Sequence, residues 1–290
     1  MINQQPNTLL EVENLNVVFP STQGDINAVR NISFSMGHEK IAIVGESGSG
    51  KSQTGRALLG LSPGNVTADK MIFDGVDLQT LSPRAYRDIR GKRISMVMQD
   101  PKYSLNPVMT IGKQMLEACH IQMKVSKKEA LTRCIDMLNA VKIRNPERVF
   151  NAYPHEISGG MGQRIMIAMM LLSSPDLLIA DEPTSALDVT VQLQVLAIMD
   201  DLVKARGMGL ILISHDLPLV ASFCDRILVM YAGRIVEDIA ANQLDQAKHP
   251  YTQGLLSCLP GNAQKGQALA TLQRQENWLT GALNEKGHLV

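Results

Sequence analysis

Apolar and polar positions alternate over residues 9–20, where Leu9, Val12, Leu15 and Val17 mark one side, and again over 28–36 through Val29, Ile32 and Phe34. A polar, glycine-containing turn separates the two runs, so the chain is predicted to open with an antiparallel β layer. Ile41 to Val44 follows a different rule: it is continuously apolar, stops at a glycine and gives way to a helical segment. That is the pattern of a buried parallel strand feeding a helix. Similar runs recur at Ile94 to Met98, Leu177 to Ala180, Leu210 to Ser214 and Ile227 to Met230. Such strands alternating with helical patterns predict a doubly wound α/β core. From about 104 to 173 no strand-like alternation occurs; segments 110–124, 126–142 and 159–173 carry apolar residues at helical spacing, predicting an inserted helical subdomain.

Bulk properties narrow the function. A chain of 290 residues has room for one principal globular unit with a small appended subdomain. Basic and acidic residues balance at 28 each, which leaves no positive field to hold a nucleic acid or an anionic membrane surface. The four cysteines, Cys119, Cys134, Cys224 and Cys258, are widely spaced without a C-x-x-C pair, as in reduced cytosolic proteins. Residues 1–7 lack the pattern of a secretory signal. The longest apolar stretch, Ile165 to Leu172, is less than half of the roughly 20 residues a membrane helix needs. If the protein works at a membrane, other chains must bring it there. Among 16 methionines, Met161, Met166, Met169 and Met170 cluster at helical spacing and are read as core packing.

Five short segments in a fixed order carry the chemistry. Gly45-Glu46-Ser47-Gly48-Ser49-Gly50-Lys51-Ser52 fits G-x-x-x-x-G-K-[ST] between a predicted strand and a predicted helix, the context of a phosphate-binding loop. Its glycines let backbone N–H groups turn around phosphates, the following helix adds positive dipole, Lys51 reaches the β- and γ-phosphates, and Ser52 offers a hydroxyl to Mg²⁺. Asp181 and Glu182 end a buried strand, where open α/β sheets bind ligands; Asp181 is placed to hold Mg²⁺ and Glu182 to polarise the attacking water. His215 follows another apolar strand, and its imidazole can donate a hydrogen bond to the γ-phosphate. Gln99, also at a strand end, can contact Mg²⁺ or the attacking water and so couple nucleotide state to the helical insert. Ser158-Gly159-Gly160 opens an apolar helix as a second anion site, best used on the nucleotide of another subunit. Taken singly, a strand-end acidic pair, a solvated loop histidine and a simple helix cap would explain the later segments. Their order behind a phosphate loop makes them parts of one ATP-hydrolysing machine.

This ordered set resembles the nucleotide-binding subunit of ATP-binding cassette (ABC) transporters over residues 1–260, with 261–290 as a C-terminal tail. The resemblance implies a P-loop cassette with ATP and Mg²⁺ as ligands: Gly45 to Ser52 as the Walker A loop with Gln53 beside it, Gln99 as the Q-loop residue, Ser158 to Gln163 as the signature, Asp181 and Glu182 as the Walker B pair, Ser185 to Asp188 as the D-loop, and His215 as the switch histidine. Phe19 stands where the family puts an aromatic on the adenine, and Asp188 joins the nucleotide-binding set.

Four further stretches look like the oligopeptide, dipeptide and nickel importer branch: Val44 to Ser47, Asp100-Pro101 with Ser104 to Pro107, Tyr153 to Glu156, and His249 to Thr252. That branch implies two membrane permeases, a second related ATPase, an extracytoplasmic solute-binding protein and a peripheral position on the cytoplasmic face of the inner membrane. Ile157 replaces the usual leucine before the signature serine, and Gly162 stands where arginine is frequent. Only Cys258 lies near the end, without the cysteine cluster of many peptide-type subunits, so no iron–sulfur cluster is expected and the cargo reading leans to nickel or a metal chelate over peptide. The competing reading is a soluble ABC ATPase of DNA repair or translation, but such proteins carry coiled-coil inserts or two fused cassettes, and neither is present here.

Overall fold

The computed structural model describes residues 8–98, 104–185, 187–259 and Trp278. Gln99, Ala186 of the expected D-loop, and the expected tail apart from Trp278 lie outside the described residues. Along the chain run β1 (Leu10–Phe19), β2 (Ile26–Met36), β3 (Lys40–Val44), α1 (Lys51–Leu58), β4 (Asn65–Thr67), β5 (Lys70–Phe73), β6 (Val76–Asp77), α2 (Pro83–Ile89), β7 (Ile94–Val97), α3 (Ile111–Gln122) and α4 (Lys127–Ala140). There follow α5 (Pro146–Asn151), α6 (Gly159–Leu171), β8 (Leu177–Asp181), α7 (Val189–Arg206), β9 (Gly209–Ser214), α8 (Leu217–Phe223), β10 (Arg226–Tyr231), β11 (Arg234–Ala240) and α9 (Pro250–Ser257). They form two compact units, residues 1–81 with 211–290, and residues 82–210.

In the first unit the expected antiparallel layer is present but larger than the alternation predicts. β1 pairs with β2 so that Leu10 faces Met36, Val12 faces Phe34 and Leu15 faces Ile32, all buried. On its other edge β1 takes β5, with Leu10 opposite Phe73 and Val12 opposite Met71, and β4 and β6 complete a five-stranded sheet. Strands of two to four residues are too short to show a period, which is why β4, β5 and β6 are invisible in the hydrophobic pattern. Register shifts in β1 and β2 are absorbed by Asn14 and Asn31 at φ 51° and 48°, a region asparagine tolerates. A second sheet in this unit runs β11-β10-β3-β9. β10 lies parallel to β3, with Ile227 beside Ala42 and Leu228 beside Ile43, while β11 returns antiparallel. Burial on both faces accounts for the unbroken apolar runs of β3, β9 and β10.

In the second unit β7 and β8 pair in parallel, from Ile94 beside Leu177 to Val97 beside Ala180, and every residue of both is buried. The three expected helices appear as α3, α4 and α6, each started by a hydroxyl cap: Thr110, Ser126 and Ser158 accept from the backbone N–H three residues on. α5 is six residues long and gives no periodic signal. It matters to packing, since a Cβ on Gly112 of α3 would stand 2.3 Å from the ring of Phe150. Of the four clustered methionines Met166 is fully buried and the other three are half-buried. Among the described residues no helix is long and apolar enough to cross a membrane.

Candidate functional site

The phosphate-loop sequence occupies the turn between β3 and α1, and its backbone is clamped from several sides. A Cβ on Gly45 (φ 150°) would meet the carbonyl oxygen of Met230 at 2.1 Å, and one on Gly50 (φ 100°) would meet that of Ala28 at 2.3 Å. Only glycine satisfies both the backbone angle and the space at these two points. Gly233 donates its N–H to the carbonyl of Ser49 at 3.0 Å, and Glu46 donates its N–H to the hydroxyl of Tyr251 at 3.0 Å. Lys51, 5% exposed, folds back on the loop and donates from Nζ to the carbonyls of Gly45 and Glu46 at 2.8 and 2.7 Å. The ammonium is thereby fixed at the mouth of the turn. Ser52 and Gln53 sit in the first turn of α1, both half-buried.

Phe19, half-buried, ends β1 opposite Ile26 of β2, close along the strand to the Ala28 carbonyl that touches Gly50. The β1–β2 end therefore stands beside the phosphate loop. His215, exposed, follows β9, the strand next to β3, and precedes the Asp216 cap of α8. Phe19, the loop and His215 thus all belong to the first unit.

The second unit carries the acidic pair and the serine–glycine segment. Asp181 is the last residue of β8 and buried. Glu182 next to it adopts φ 44°, a strained angle for a residue with a side chain, and turns the chain out of the strand direction. Ser185 holds that turn, donating both its N–H and its hydroxyl to the Glu182 carbonyl at 3.3 and 3.2 Å. Asp188, exposed, caps α7 by accepting from the Val191 N–H at 3.1 Å. Ser158 caps α6 by accepting from the Met161 N–H at 3.3 Å. Gly159 has open space around it, whereas a Cβ on Gly160 would press on Val191 at 2.7 Å, so the two glycines serve different ends. The first leaves the helix start accessible and the second lets α6 approach α7.

The sequence reading named the loop but missed the groups that hold it: Ala28, Met230, Gly233 and Tyr251. The closest approaches of Ala28, Met230 and Gly233 are through backbone atoms, which carry no side-chain signature; Tyr251 stands only in the His249 to Thr252 stretch.

A buried strand, a glycine loop with its lysine and a following helix define a nucleoside triphosphatase. Residues 29–185 match the ABC transporter family, and the chain belongs to that family. It is 46% identical over 264 residues to the oligopeptide transport ATP-binding protein OppD of Bacillus subtilis, a match that covers 89% of this chain and 74% of that one. To the dipeptide transport ATP-binding protein DppD of Escherichia coli it is 46% identical over 268 residues, covering 91% and 82%. The structure of cbiO1 from Clostridium perfringens, part of the ABC transporter complex cbiONQ, superposes with a TM-score of 0.72 at 25% identity, covering 83% of this chain and 91% of that one. The α/β cassette fold expected from the motifs is therefore the fold found, and the protein is an ATP-binding ATPase.

Proposed function

We propose that this chain is the ATP-hydrolysing subunit of an importer that takes up peptides. The observation that carries the reading is identity near 46% to proteins named for oligopeptide and dipeptide transport, over about nine-tenths of the chain. These names favour peptide over the nickel cargo towards which the cysteine-poor tail leans, and they favour transport over a soluble ATPase.

In the proposed mechanism Phe19 stacks on adenine, and the stretch from Gly45 to Gln53 receives the phosphates through backbone N–H groups. Lys51 exchanges its carbonyl partners for the β- and γ-phosphate oxygens. Ser52 and Asp181, with Gln99, supply hard oxygen donors of the kind Mg²⁺ takes. When bound, Mg²⁺ neutralises charge on the phosphates. Glu182 accepts a proton from the water as its oxygen bonds to the γ-phosphorus and the bond to the β,γ-bridging oxygen breaks, giving ADP and phosphate. His215 donates a hydrogen bond to the γ-phosphate, and Gln99 orients the water. Ser158, Gly159 and Gly160, with Asp188, act on the nucleotide of a second, related ATPase subunit.

Two membrane permeases and an extracytoplasmic solute-binding protein complete the assembly, which holds the chain peripherally on the cytoplasmic face of the membrane. The test is ATPase activity with co-expressed permeases and sister ATPase in lipid, with the solute-binding protein loaded with peptide or with nickel chelate. Stimulation by the peptide-loaded form is expected. Stimulation by nickel chelate alone would reassign the cargo, and activity indifferent to permeases and to both cargos would sink the transport reading.

A further inference from the structure

The phosphate loop is tied to α9 and to Trp278 through an aromatic cluster. Tyr251, fully buried at the start of α9, accepts the Glu46 N–H through its hydroxyl at 3.0 Å. Its own backbone N–H is held by Nδ1 of His249 at 3.1 Å, and His249 in turn donates its backbone N–H to Glu237 of β11. The Tyr251 ring lies 4.6 Å from that of Tyr231 and 5.9 Å from that of Trp278, and Trp278 meets Tyr231 edge-on at 5.7 Å. Trp278 is 6% exposed and is the one tryptophan in the sequence. Tyr231 immediately follows Met230, whose carbonyl touches Gly45, and two residues further on Gly233 donates to Ser49. One cluster therefore reaches the loop by two routes, through the Tyr251 hydroxyl and through the β10–β11 turn.

We propose that Tyr251 is a positioning residue for ATP, held in place by Trp278, so that packing of Trp278 on Tyr251 and Tyr231 sets the nucleotide affinity of the phosphate loop. This rests on the loop being the ATP site. The rings pack around this bond and fix the tyrosine hydroxyl where the first peptide group of the loop needs an acceptor. The remaining N–H groups are then presented to phosphate in one arrangement, and less ordering is left for the nucleotide to impose. The Tyr251 hydroxyl makes this contact on the Glu46 backbone N–H and moves no proton in the proposed mechanism, so its loss bears on binding more than on turnover.

The experiment is steady-state ATPase kinetics, with ATP affinity from a fluorescent analogue and a melting curve, on the full chain and on Tyr251→Phe, Trp278→Ala, Trp278→Phe and Lys51→Ala. Tyr251→Phe keeps the ring and should melt with the parent while KM for ATP rises about three- to tenfold, the size of one neutral hydrogen bond, with kcat within about twofold. Trp278→Ala should raise KM likewise, and Trp278→Phe should restore it. Parent-like ATP affinity in Tyr251→Phe, or a fall in kcat at unchanged KM, would overturn the proposal. A parent that binds no ATP, or that binds it equally after Lys51→Ala, would overturn the ATP-site reading instead.

Discussion

A Cβ on Gly45 would stand 2.1 Å from the carbonyl oxygen of Met230, which makes the residue after β3 a point where two backbones touch. Neither backbone can yield without disturbing a buried strand, since β3 and β10 are paired from Ile41 to Val44. Gly45→Ala should cost at least about 2 kcal/mol of stability, a core-disruption magnitude, and abolish measurable ATP binding. Thermal melting and analogue titration check both, and a variant that melts and binds like the parent would refute the close approach.

Lys51→Ala removes the donor to the carbonyls of Gly45 and Glu46 together with the charge meant for phosphate. ATP affinity should fall by more than about tenfold, as befits loss of a charged hydrogen-bonding group. Unchanged affinity by equilibrium titration would remove Lys51 from the site.

Glu182→Gln keeps the shape of the side chain at its strained turn but not its basicity. Turnover should fall by at least about a hundredfold with ATP affinity retained, the range for loss of a general base. Gel filtration with ATP should then show a longer-lived dimer, and hydrolysis at the parent rate would dismiss Glu182 as the base.

Asp188→Ala loses the cap of the 18-residue α7 and should cost about 1 kcal/mol, or about 2–4 °C in Tm. Asp188→Asn can still accept from Val191 and should recover most of that. If activity stays low in the asparagine variant at parent Tm, the carboxylate has a role beyond the cap.

Burial pushes the Cys134 thiol up to about 12 and raises that of Cys119, and burial likewise pushes Tyr86 up to about 12. In the unfolded chain these groups ionise near their ordinary values, about 8.5 for thiols and about 10 for tyrosine. Their neutral forms therefore support the fold fully below that range, and the contribution drains away as pH rises towards 12. Denaturant midpoints should fall steadily from about pH 9 upward. In the native protein iodoacetamide should label half-buried Cys258 ahead of Cys119, Cys134 and Cys224, all buried.

Much of the architecture and the nucleotide motifs are legible in the linear chain, because both depend on local rules. Buried strands must be continuously apolar, so β3, β8, β9 and β10 announce themselves, and α3, α4 and α6 follow from helical spacing with Thr110, Ser126 and Ser158 as caps. The loop from Gly45 to Ser52 is readable because phosphate binding needs particular residues at fixed spacing. Tertiary structure alone decided what has no local signature: the short strands β4 to β6, too brief for a period, and the partners that clamp the loop. Ala28, Met230, Gly233 and Tyr251 come from segments far from the loop in sequence, and Ala28, Met230 and Gly233 meet it chiefly through backbone atoms. A carbonyl is the same in every residue, so which carbonyl meets Gly45 is settled by strand order and register.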